Sequence, residues 1–358
     1  MPPLVRKGSW IAHLANAAGS WVDRTAIDMA LDVARRSKGP RPDPEQQLRQ
    51  LARVAEAYGD PRLLAEPDAF FVPPSLPSVR RTPVRSLPVG GRVEDLSFRS
   101  GFVPTHEFPR EAYVAFEENR TAVARYWRHP NPRATAVCIH GYLGGNLSFE
   151  EAAFEAPRLY QWGLDVLIPV LPFHGPRAPE GRRGIFPGQD PWRSVEGFAQ
   201  AISDLRAWHS WLRSEGSSAV GTIGMSLGGY TAALLATVDP AVDFSTLMVP
   251  LASLGDAYLE HRSRLPEAPP PWVGRRIDDS LRVVSPLSRP PLVAPESVLV
   301  LAAARDAITP SAHAERLRAH FDARIDTFTG GHLLQLGRGK AWASLKDFLL
   351  ERRIIAPR

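Results

Sequence analysis

The chain has 358 residues, 44% hydrophobic and 23% charged, with a net charge of +5. This length can bury a large core, and the balance is that of a globular protein, not a disordered or collagen-like one. Cys138 is the only cysteine, which excludes an internal disulfide or a cysteine-built metal cluster, and no apolar run approaches the ~18 residues of a membrane span.

In chain order, residues 1–60 read as a helical extension. Trp10, Leu14, Ala17 and Trp21, then Ile27, Leu31 and Ala34, recur at helical spacing, and Leu48, Leu51 and Val54 continue it over 46–58. Such an apolar face packs on a larger domain or meets a second copy of the chain, so a homo-oligomer through these helices is one expectation. Residues 61–92 are proline-rich and read as an irregular connector. Strand patterns begin at 93–102, 121–127 and 134–139, the last two joined by His129-Pro130-Asn131-Pro132. Helices at 147–162, 191–213, 227–238, 310–320 and 340–350 then alternate with strands at 164–169, 219–223, 243–249, 297–302 and 324–328. Alternation of this kind predicts an α/β domain over 93–358, a mostly parallel sheet covered by helices on both faces. Residues 253–296, again proline-rich and holding Tyr258 and Trp272, fall between two core strands and read as a lid-like insertion.

Chemistry concentrates at Gly224-Met225-Ser226-Leu227-Gly228, a G-x-S-x-G between an apolar strand and a small-residue helix. This is the context of a nucleophile elbow, where a sharp turn lifts the serine hydroxyl clear of the sheet. A serine needs a base, and the base needs an orienting partner. In parallel sheets such groups gather beyond the carboxyl ends of the strands. Asp306 follows the apolar strand at 297–302, with Thr309 as expected N-cap and Pro310 as the first helical residue. His332 follows the last strand through Gly330 and Gly331. The rivals are less well placed: His313 and His320 fall within a helix, Asp322 in a turn and Asp326 inside a strand. Ser226, Asp306 and His332 therefore read as catalytic. For an oxyanion the Leu227 amide can supply one donor, and the loop His140-Gly141-Tyr142-Leu143-Gly144-Gly145 another, with Tyr142 preferred over Leu143. His140 is expected to shape that loop. Leu143 is also a candidate substrate contact, as are Arg182 and Arg183, which with Arg177 can meet an anionic group.

Together these residues resemble the α/β-hydrolase superfamily over about residues 93–352, and the chain is similar to bacterial serine esterases, including the dienelactone-hydrolase and prolyl-oligopeptidase-like branches. The resemblance implies an eight-stranded sheet, a Ser-His-Asp triad, no metal or organic cofactor, and a small-molecule acyl ester or thioester as substrate. His140-Gly141-Tyr142 stands where one group of lipases has three glycines, which argues against that group. Three functions stay open: ester or thioester hydrolysis, peptide cleavage or acyl transfer on the same triad, and a non-catalytic binding role. The basic residues are nearly all arginine and form no stripe interleaved with aromatics, so nucleic-acid binding is not expected. The lone cysteine and the missing leader pattern point to a reducing cytoplasm.

Overall fold

A computed structural model describes residues 23–24, 43–180, 186–261 and 270–357. The helical pattern at 10–34 and the arginines Arg182 and Arg183 lie outside the described residues, apart from Asp23 and Arg24, which are helical. The elements are α1 (Pro44–Ala57), α2 (Arg62–Ala65), α3 (Pro67–Phe70), β1 (Arg80–Ser86), β2 (Arg92–Arg99), α4 (Glu107–Val114), β3 (Thr121–Arg128), β4 (Thr135–Ile139), α5 (Leu147–Ala153), α6 (Ala156–Gln161) and β5 (Asp165–Pro169). There follow α7 (Pro191–Ser214), β6 (Val220–Met225), α8 (Leu227–Ala236), β7 (Ser245–Met248), α9 (Leu254–Glu260), α10 (Trp272–Ser280), β8 (Val298–Ala303), α11 (Ser311–Phe321), β9 (Arg324–Phe328) and α12 (Arg338–Glu351).

All nine strands form one sheet in the order β1-β2-β3-β5-β4-β6-β7-β8-β9. The pairs from β5 through β9 are parallel, while β1, β2 and β3 run antiparallel. The fold class is as expected, with one strand more than eight. The additional strand β1 comes from 61–92, where proline argued for irregular chain. Pro83 is tolerated because β1 is an edge strand and its register shifts just past that residue. The helix expected over 147–162 is two helices, divided at Glu155 with φ 46°.

Strand residues alternate between the two faces as the pleat requires. On β8, Val298, Val300 and Ala302 join the core beneath α7, α8 and α11, whereas Leu299, Leu301 and Ala303 pack with α6 and α12 on the other side. The loop after β5 is pinned by a buried ion pair. Arg177 donates to Asp204 Oδ2 on α7 (2.8 Å) and to the carbonyls of Val170 (2.9 Å) and Asn119 (2.9 Å).

Helix α1 is started by Asp43, whose carboxylate accepts from Glu45 N, and it buries Leu51 and Val54. Just past it, Tyr58 donates to Glu196 on α7. The insertion between β7 and β8 holds α9 and α10, which touch backbone to backbone: a Cβ on Gly255 would lie 2.1 Å from the Gly274 carbonyl oxygen. Asp278 on α10 accepts from Ser253 Oγ and Gly255 N at the start of α9, and α10 also packs against α1. Among the described residues no helix is long and apolar enough to cross a membrane.

Candidate active site

Strand β6 ends in a sharp turn into α8. Ser226 takes φ 58° and ψ −115°, a region that a residue with a side chain enters only when its surroundings force it. The turn is tight enough to exclude side chains on either side. A Cβ on Gly224 would sit 2.2 Å from Gly228 O, and one on Gly228 would sit 1.9 Å from Ile139 O. The small residues of the motif thus let β6, α8 and the end of β4 meet. Ser226 is left partly exposed at the N-terminus of α8, where the helix dipole is positive.

The loop after β4 lies directly against this serine. A Cβ on Gly141 would be 3.4 Å from Ser226 Cβ and 3.9 Å from its Oγ. Gly144 N donates to Gly141 O (3.1 Å), closing a turn with Tyr142 and Leu143 at its centre. Leu143 holds a positive φ of 64°, and both side chains are about half exposed. His140 anchors the loop. Its Nε2 accepts from Leu171 N (3.0 Å) and its Nδ1–H donates to Gly141 O (2.8 Å). Burial, then the neighbouring His174, push its pKa down to about 3. Both ring nitrogens serve main chain, so His140 is a neutral strut that holds the loop. Leu227, the first residue of α8, lies in a helical turn whose N–H groups have no intrahelical acceptor.

Asp306 and His332 meet beyond β8 and β9. His332 Nδ1–H donates to Asp306 Oδ2 (2.8 Å), with both side chains buried. Asp306 is itself locked: Oδ1 accepts from Ile308 N (2.9 Å) and Thr309 N (2.7 Å). Thr309 Oγ1 lies 3.0 Å from Asp306 Oδ2, 3.0 Å from His332 Nδ1 and 3.0 Å from Val249 O. The sequence assigned Thr309 to capping the next helix. Instead α11 starts at Ser311 with Pro310 as its N-cap, and the hydroxyl joins the aspartate, the histidine and the residue just past β7. Neighbouring strand ends are cross-tied as well. Ser226 N donates to Met248 O (3.0 Å), so the serine turn and the Asp306 loop hang from consecutive carbonyls of one strand end. Arg305 N donates to Gly330 O (3.0 Å), linking the loops that carry the aspartate and the histidine.

Nδ1 is engaged by these partners, which leaves Nε2 as the ring nitrogen able to take a proton. Among the described residues no hydrogen bond joins Ser226 Oγ to His332; such contacts are commonly long in substrate-free sites and tighten in the complex. Three of the four rival groups are engaged elsewhere. His313 Nδ1 accepts from Ala252 N and its Nε2 meets Glu260, His320 bonds Arg289 O, and Asp326 pairs with Arg324. One carboxylate at this edge escaped sequence reading: Asp23, fully buried, accepts from the N–H groups of His332 and Leu333. A single acid in a helical apolar stretch carries no local signal of such a contact.

Two solved structures share the architecture. Acetyl xylan esterase from Paenibacillus sp. R4 aligns with a TM-score of 0.52 at 14% identity, over 87% of this chain and 96% of that one. Acetyl Xylan Esterase 1 from Thermoanaerobacterium sp. JW/SL YS485 aligns at 0.53 and 14%, over 89% and 98%. The sheet order and the turn at Ser226 give the chain the α/β-hydrolase fold that these two esterase structures share. No family model matches the chain. Over 295 residues it is 34% identical to "Uncharacterized protein Rv2627c" of Mycobacterium tuberculosis (strain H37Rv), covering 80% of this chain and 71% of the relative. "Uncharacterized protein MT2702" of strain CDC 1551 matches with the same figures of 34% over 295 residues. The chain belongs to the family of these mycobacterial proteins.

Proposed function

We propose that the protein is a serine hydrolase that cleaves a carboxylic ester or thioester through an acyl-enzyme on Ser226. The observation that supports this best is the 2.8 Å Asp306–His332 hydrogen bond, set on the same sheet edge as a serine held at φ 58°. In this reading His332 Nε2 takes the Ser226 proton as Oγ attacks the carbonyl carbon. It then returns that proton to the departing alcohol or thiol. Asp306 keeps the ring in the Nδ1–H tautomer and stabilises the imidazolium. The amides of Leu227 and Tyr142 hold the developing oxyanion. Water, deprotonated by His332, then releases the acid. Tyr142 and Leu143, at the rim, offer apolar surface to the acyl group.

A fluorophosphonate probe tests the reading at once. Expected is a single covalent adduct, mapped by mass spectrometry to the peptide holding Ser226; folded protein left unlabelled at millimolar probe, on the order of conventional excess, would refute it.

The pH profile adds a second check. Burial lowers the His332 pKa, but the charge and hydrogen bond of Asp306 and the charge of Asp23 outweigh it, leaving the ring above the ordinary value of 6.5. A protonated ring cannot act as base, so kcat/KM is expected to rise with pH along an acidic limb centred above 6.5. A limb centred below that value contradicts the role given to His332.

A further inference from the structure

A second carboxylate reaches the edge of the sheet where Asp306 and His332 meet. Asp23 is fully buried, and its Oδ2 accepts from His332 N (2.6 Å) and Ala307 N (3.2 Å) while Oδ1 accepts from Leu333 N (2.8 Å). These donors lie on two different loops. Ala307 follows Asp306, and Leu333 follows His332. Converging main-chain N–H groups of this kind make an anion site. Here the anion is a side chain of the same molecule, 309 residues from His332 in sequence. A carboxylate removed from water needs such partners, since an uncompensated buried charge is strongly unfavourable. The contact therefore fixes the spacing of the loops that carry the acid and the base.

We infer that Asp23 is a positioning residue for His332: it clamps the two loops together through three main-chain N–H groups and sets a second negative charge beside the imidazole. This rests on the hydrolase reading above. Among the described residues the charged groups acting on the ring are Asp306, from the loop between β8 and α11, and Asp23; Thr309 adds a neutral hydroxyl. Asp306 acts on the ring through Nδ1, whereas Asp23 acts through the main chain of the same residue and across space. The imidazolium formed during acyl transfer gains from both. Asp23 touches neither substrate nor reacting atoms, so its influence passes wholly through His332 and the Asp306 loop.

Asp23→Asn and Asp23→Ser both remove the charge and leave at least one of the three N–H groups without its acceptor; running both secures one folded uncharged variant. On an ester that the wild-type protein turns over, kcat/KM is expected to fall by on the order of 10- to 100-fold, the effect of a small misplacement of a catalytic group. The acidic limb is expected to move to lower pH, because the imidazolium has lost a stabilising neighbour. Asp23→Glu, which keeps the charge, is expected to return the limb toward its wild-type position. NMR titration of the His332 ring in the resting protein should show the same downward shift without any substrate. A folded uncharged variant whose limb and ring titration stay in place overturns the inference, even if kcat/KM falls, because a purely structural role lowers the rate without moving them. That result leaves the hydrolase reading intact. If the wild-type protein is not labelled by fluorophosphonate, the hydrolase reading fails, and the ring titration alone decides whether Asp23 acts on His332.

Discussion

Alanine at position 226 is expected to lower kcat on short p-nitrophenyl esters by on the order of 10⁴ to 10⁶ and to abolish fluorophosphonate labelling. The substitution removes one oxygen and leaves the backbone as it was. Ser226 already sits at φ 58°, a strain that alanine bears equally. Among the described residues its Oγ makes no hydrogen bond, so the substitution removes none from them. Stability is accordingly expected to stay within about 0.5 kcal/mol of wild type by denaturant titration. The pairing of a very large kinetic loss with an unchanged midpoint is what a residue of the chemistry, and not of the fold, should give; the lost labelling marks it as the nucleophile. The amides assigned to the oxyanion remain, so some rate above the uncatalysed reaction should persist. A Ser226→Ala protein that cleaves these esters as fast as wild type removes the proposed mechanism.

Arg177→Met should produce the opposite pattern, a large loss of stability that does not depend on the chemistry. Arg177 is 1% exposed, and its guanidinium holds together Asp204, Asn119 and Val170 beneath the loop after β5. Methionine fills much of the volume but leaves Asp204 buried without its cation. Breaking one side of such a pair typically costs about 3–5 kcal/mol, against a total stability of about 5–15 kcal/mol for a domain. The pH dependence follows from the same group. Burial already raises the Asp204 pKa, opposed by Arg177 and the Ser100 hydroxyl. Without the guanidinium it rises further. Between the unfolded value of about 3.9 and that raised folded value, the native state holds the extra proton. Stability of the variant should therefore fall as pH rises through this window, and the deficit should be smallest in acid. Urea titrations at several pH values measure both; a deficit under about 1 kcal/mol at neutral pH would show that the pair contributes little.

The strand–helix alternation was legible because each buried strand is a short apolar run bounded by turn residues, as at Val298-Leu299-Val300-Leu301. Edge strand β1 was not, since Pro83 reads as a break unless one knows that the strand has a free side. Helices α9 and α10 were hidden by the proline around them. Glu155 gave no warning of its left-handed backbone, and the apolar pattern runs across it undisturbed. At the candidate site, Ser226, Asp306 and His332 could be singled out because their types, order and glycine neighbours follow from the chemistry. The Thr309 hydroxyl was assigned to a helix cap because a threonine before a proline fits that role locally; its actual partners lie on other loops. Asp23 is the extreme case, a contact between the two ends of the chain that no window of sequence contains.

That contact also orders events during synthesis. The acceptor for the His332 and Leu333 amides leaves the ribosome before them, and the His332 amide comes 309 residues later. At about 5–20 residues per second the interval is roughly 15 to 60 s. Throughout it the nascent chain carries a carboxylate with no place to dock, and the elbow serine emerges well before the imidazole that would activate it. Under the proposed mechanism, a chain that stops short of His332 would carry the serine without its base.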